Sequence, residues 1–115
     1  MIEALRNEIK TEGFAFAERY LPGYSTEAIA ATLGKTLSLG SSNPVHRLAP
    51  RDRNQATPNT YSGNFGLEVF PFHTDLAHWR MPPRYLLLRC VIGFAEVPTL
   101  LLDGRKLVEN VGRQE

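Results

Sequence analysis

Tyr85-Leu86-Leu87-Leu88-Arg89-Cys90-Val91-Ile92 is the stretch on which the fold turns. Only Arg89 interrupts an otherwise apolar run. A short run without polar alternation is what a strand covered on both faces looks like. Pro82-Pro83 stands just before it, where proline can open a strand without losing ladder hydrogen bonds. Leu100-Leu101-Leu102 repeats the pattern on a smaller scale, and Asp103-Gly104 ends it. Upstream, Leu67, Val69 and Phe72 are strand formers broken by Pro71. Residues 65–108 are therefore predicted to be β-rich. Leu86, Leu88, Val91, Leu100 and Leu102 are expected among the more buried side chains, with some of them forming an exposed apolar patch in a solitary chain.

Two different stretches precede this segment. Over residues 1–39 the spacing predicts helices. Ile2, Leu5 and Ile9 recur at helical intervals, and Gly13 is a stop. Phe14-Ala15-Phe16-Ala17 fits a short strand. Pro22-Gly23 marks a turn, Ser25 is placed to cap a second helix, and Ile29, Leu33 and Leu37 share one face of it. Gly34 and Gly40 weaken that helix and suggest its end. Residues 40–64 carry Ser41-Ser42-Asn43-Pro44, Ala49-Pro50 and Thr57-Pro58-Asn59, all turn formers. Arg47, Arg51 and Arg53 cluster in this loop. They either solvate it or line it for an anionic substrate or cofactor. Helices, a loop and then strands make an α+β chain whose second part is a sheet or an incomplete barrel.

Composition narrows the function classes. The chain has 115 residues, a formal charge of +1 and 43% hydrophobic residues, which suits one modest globular core. No basic run supports nucleic-acid binding, and no apolar run is long enough to span a bilayer. The first residues lack the layout of a signal peptide. Cys90 is the only cysteine, so no intrachain disulfide can form. A cytoplasmic protein is the simplest expectation.

The chemistry lies in Phe70-Pro71-Phe72-His73-Thr74-Asp75-Leu76. On a strand, residues two apart project from the same face, so His73 and Asp75 would point the same way. An imidazole and a carboxylate side by side can share one cation. Two histidines and one carboxylate on one face of the metal, with other positions open, make the usual non-haem iron(II) oxygenase site. A closed structural zinc site is poorly supported by one cysteine and scattered histidines.

The ordered combination is more specific than the His-x-Asp alone. Phe70 to Leu76, then Met81-Pro82-Pro83, the run to Cys90, and Pro98-Thr99-Leu100-Leu101-Leu102-Asp103-Gly104 resemble the taurine dioxygenase and γ-butyrobetaine hydroxylase family. The likeness is sharpest over residues 61–108. It is looser over the N-terminal helices and His46-Arg47-Leu48-Ala49-Pro50-Arg51. The resemblance implies an iron(II)- and 2-oxoglutarate-dependent oxygenase on a double-stranded β-helix, a jelly-roll of the clavaminate synthase-like kind. It implies His73 and Asp75 as metal ligands and Thr99 as a 2-oxoglutarate contact. The family precedes that threonine with a glycine pair, where this chain has Glu96-Val97-Pro98. Trp79, Arg47 and Arg51 are candidates for holding a small polar substrate.

The family also uses a second histidine ligand and an arginine for the far carboxylate of 2-oxoglutarate. His46 and His78, the other histidines, do not match that position, and Arg105 and Arg113 do not match the arginine. The expectation is therefore a partial oxygenase, the first half of the barrel, from a truncated gene, a fragmentary gene model or a split product, with a genuine small protein of reduced fold as the alternative. Open sheet edges and an exposed apolar face would then favour self-association or a complementing second half. The competing expectation is a non-catalytic remnant or interaction module.

Overall fold

Helix α1 (Ile2–Glu12) forms over the Ile2, Leu5 and Ile9 spacing, and all three side chains are half-buried in the computed structural model. It describes residues 1–38, 43–76 and 79–112. Gly13 ends α1 in the left-handed region, at φ 87°, and its N–H donates to the Ile9 carbonyl. A side chain there would be strained, so glycine is the natural stop. Helix α2 (Thr26–Leu33) begins at Ser25, whose Oγ accepts from the Ala28 N–H at 3.1 Å. It stops at Gly34, so Leu37 lies beyond the helix and is exposed.

The chain divides into two units, Met1–Ala49 with Pro83–Arg89, and Pro50–Pro82 with Cys90–Glu115. In the first, α1 packs against α2, and an Arg6 guanidinium nitrogen donates to the Thr32 carbonyl at 2.8 Å. Ile29 on α2, 4% exposed, is the one buried residue among those described. Arg89 also belongs to this unit. Its guanidinium donates to the Pro22 and Tyr24 carbonyls and to Thr26 Oγ1, at 3.3, 2.9 and 3.2 Å.

The second unit is built on short capped turns. Asp52 caps a 3-10 turn (Arg53–Gln55) by a reciprocal capping box, accepting from Asn54 and Gln55 while the Gln55 side chain accepts from the Asp52 N–H. Thr60 caps helix α3 (Tyr61–Phe65). The 3-10 turn packs on α3, and Arg53 pairs with Glu68 at 2.9 Å. Helix α4 (Gly104–Gly112) follows Asp103, whose carboxylate accepts from the Arg105 N–H at 3.0 Å.

The predicted β-rich half is overturned. Among the described residues there is no strand, so the α+β jelly-roll expectation is replaced by helices joined by irregular chain. The expected short strand at Phe14-Ala15-Phe16-Ala17 is also irregular. The reason is geometric. A strand satisfies its backbone only through a neighbour, and among the described residues no ladder partner pairs with the 85–92 run. Arg89, read as an interruption in that run, instead ties it to the turn at 22–26. The burial expectation falls with the strands: Leu88 is 62% exposed, Val91 86%, and Leu86, Leu100 and Leu102 are exposed as well. Asp103-Gly104, expected to end a strand, starts a helix. Gly40 and the Ser41-Ser42 pair lie outside the described residues.

Candidate metal centre

Residues 70–74 run without regular structure, and a turn begins at Asp75. Within that segment the His73 ring is fixed from one side by its own backbone. Its Nδ1 lies 3.0 Å from the Pro71 carbonyl oxygen. A carbonyl can only accept, so Nδ1 carries the proton and donates. In a neutral ring Nε2 is then the lone-pair nitrogen.

Nε2 faces Asp75. Nε2 and Asp75 Oδ1 are 3.1 Å apart, with side chains 30% and 45% exposed. The carboxylate oxygen also only accepts, so at this distance a proton on Nε2 or a cation joins the two. The spacing suits a metal. Two donors bound side by side at about 2.1 Å from one ion stand about 3 Å apart. The Pro71 carbonyl supplies the outer contact that metal-binding imidazoles commonly have on their other nitrogen. Leu76, at φ 57°, turns the chain sharply after Asp75. A left-handed residue that bears a Cβ stores about 1–2 kcal/mol of strain, so the corner is held by its surroundings.

Aromatic rings surround the histidine. The Phe70 ring centroid lies 4.2 Å from that of His73, and Tyr61 lies 5.4 Å from it. Tyr61 and Phe70 meet edge-on at 5.0 Å, and Phe65 backs Phe70 at 5.7 Å. Tyr61 and Phe65 sit on α3, inside what the sequence presents as a plain loop. Their spacing of four, directly after Thr60, is the signal that would have marked them.

The other expected site residues are spread over both units. Thr99 is exposed in irregular chain of the second unit, and among the described residues no hydrogen bond joins it to His73 or Asp75. Trp79 and Arg51 lie in the second unit, and the Trp79 N–H donates to the Leu76 carbonyl at 3.0 Å. Arg47 and His46 lie in the first unit, both exposed. Arg105 is engaged by Asp103, which its side chain approaches at 3.4 Å. His78 and Arg113 lie outside the described residues. Among the described residues, no group of three or more histidine, cysteine and carboxylate side chains is placed to hold a metal. No described helix is long and apolar enough to cross a membrane. Compared with protein-family models, with curated proteins and with solved structures, the chain matches none.

Proposed function

We propose that the chain contributes the His73–Asp75 part of a mononuclear iron(II) centre in a 2-oxoglutarate-dependent oxygenase acting on a small polar substrate. The observation that supports this is the approach of His73 Nε2 to an Asp75 carboxylate oxygen at 3.1 Å, while Nδ1 lies 3.0 Å from the Pro71 carbonyl oxygen. When bound, iron(II) with 2-oxoglutarate and O2 supplies the oxidative chemistry, in which 2-oxoglutarate becomes succinate and carbon dioxide and one oxygen atom enters a substrate C–H bond. His73 gives a neutral donor, and Asp75 offsets one of the two positive charges. Thr99 is the proposed hydroxyl contact for 2-oxoglutarate, and Trp79, Arg47 and Arg51 the proposed substrate contacts. A full triad needs one more histidine, and the far carboxylate of 2-oxoglutarate needs an arginine. In this proposal the oxygenase is cytoplasmic, in keeping with a single free cysteine.

A second function, a non-catalytic interaction module, is favoured by the exposed apolar side chains at Leu86, Val91 and Leu100. Anaerobic iron(II) titration with 2-oxoglutarate separates the two. The chain should bind iron weakly, His73→Ala or Asp75→Ala should abolish that binding, and His46→Ala should leave it. Without an arginine partner, 2-oxoglutarate lacks a charge-assisted contact of about 1.5–3 kcal/mol, roughly a ten- to hundred-fold loss in affinity. Succinate release by the chain alone should therefore be negligible. Iron binding indifferent to both alanine variants would remove the oxygenase assignment.

A further inference from the structure

We propose that Tyr61 and Phe70 are positioning residues for the His73 imidazole, a role that rests on the iron-site proposal and extends it to two side chains that touch no metal. An imidazole ring has two broad, roughly equivalent χ2 wells related by a half-turn. In one, Nδ1 meets the Pro71 carbonyl and Nε2 meets Asp75, as observed. In the other, carbon atoms would stand at both places. Two devices remove this ambiguity. The Phe70 ring, 4.2 Å from the imidazole and tilted 53° to it, and the Tyr61 ring, 5.4 Å away and tilted 45°, restrict the plane of the ring. The Pro71 carbonyl then selects which face of that plane carries Nδ1.

The aromatic wall is itself anchored. Tyr61 is the first residue of α3, and Thr60 just before it is fixed twice. Thr60 Oγ1 accepts from the Gly63 N–H at 3.1 Å and donates to the Thr57 carbonyl at 2.6 Å. Tyr61 and Phe70 also brace each other edge-on, an arrangement aromatic quadrupoles favour. The chain at 57–65 thus acts as a support for the imidazole. Phe65 touches Phe70 but makes no ring contact with His73, so it belongs to the packing and not to the positioning.

The test reads the ring orientation directly, in metal-free protein, by NMR: NOEs from the two His73 ring carbon protons to the backbone of residues 71–75 report which χ2 well the imidazole occupies. Wild type should show one well. Phe70→Leu and Tyr61→Leu should move it toward a mixture and weaken iron(II) binding about tenfold, the usual scale for an outer-shell partner. Phe70→Tyr should restore both, and Phe65→Leu should leave the χ2 well unchanged. Two evenly populated wells in wild type overturn the proposal without any variant. So does a Phe65→Leu effect equal to that of Phe70→Leu, because general packing would then explain both. If the χ2 pattern holds while wild type binds no iron, the positioning role stands and the oxygenase assignment alone falls.

Discussion

Helix α2 and the run from Tyr85 to Ile92 are both rich in apolar side chains, yet they end in opposite conditions. On α2, Ile29 is buried against a unit in which α1 presents a half-buried stripe. Along the run, Val91 and Leu88 face solvent and the backbone makes no ladder. The difference lies in where each element finds its hydrogen bonds. A helix bonds to itself four residues back, so an apolar stripe and two caps suffice to form it. A strand needs another strand brought alongside, and apolar character cannot supply that partner. Hydrophobicity states that a segment is suited to burial, whereas pairing decides whether it becomes a strand.

The largest expected effect separates these two regions. Ile29→Ala truncates the only buried side chain among the described residues and should destabilise the α1–α2 unit by about 2–4 kcal/mol, read as a lower urea midpoint of helical circular dichroism. Val91→Asp, at an 86% exposed position, should change that midpoint by no more than about 0.5 kcal/mol. Equal losses from the two variants would break the comparison, since the run would then be buried in solution.

A smaller effect sharpens the contrast at the one place where the run is tied down. Arg89→Ala removes three donated hydrogen bonds, to Pro22, Tyr24 and Thr26. The group is exposed, so the expected loss is about 1–2 kcal/mol in total, not the sum of three buried bonds. Arg89→Lys should not restore the stability, because a single ammonium cannot span acceptors that the guanidinium fork reaches together. Chemical shifts of residues 22–26 unmoved by Arg89→Ala would show that the anchor is not formed.

The helices were legible because their signals are local. Ile2, Leu5 and Ile9 gave the face of α1, Gly13 its end and Ser25 the start of α2. The Asp52-x-x-Gln55 capping box and Thr60 were equally local signals, hidden by the prolines and turn formers around them. The fate of the 85–92 run is not legible in the sequence because it depends on a partner that no local pattern encodes. The closeness of His73 and Asp75 was expected from strand alternation, but it arises differently. The Pro71 carbonyl turns the imidazole, and Leu76 in the left-handed region turns the chain. Backbone geometry of that kind has no signature in residue type alone. The aromatic wall of Tyr61 and Phe70 joins residues on either side of a turn, so only the folded chain brings it into view.

The smallest expected effect concerns the start of α4, where a leucine run gives way to a helix at Asp103-Gly104. The Asp103 carboxyl is held below its ordinary value of 3.8, first by the Arg105 side chain that donates to it, then by the Arg105 N–H and the guanidinium charge. The folded carboxyl is thus the stronger acid. The contribution of the ionised group to α4 is present above pH 3.8 and is lost as pH falls through the lower, folded value. Backbone chemical shifts of residues 105–109 should therefore lose helical character in acid, and 1 M salt should weaken the Arg105 attraction at neutral pH. Asp103→Asn keeps a side-chain acceptor for the helix start but removes the charge. It should retain most of the helix at neutral pH and flatten its acid dependence below pH 3.8. An unchanged acid transition in Asp103→Asn would place the titrating group elsewhere. It would also leave the switch from leucine run to helix resting on the backbone of Asp103-Gly104 alone.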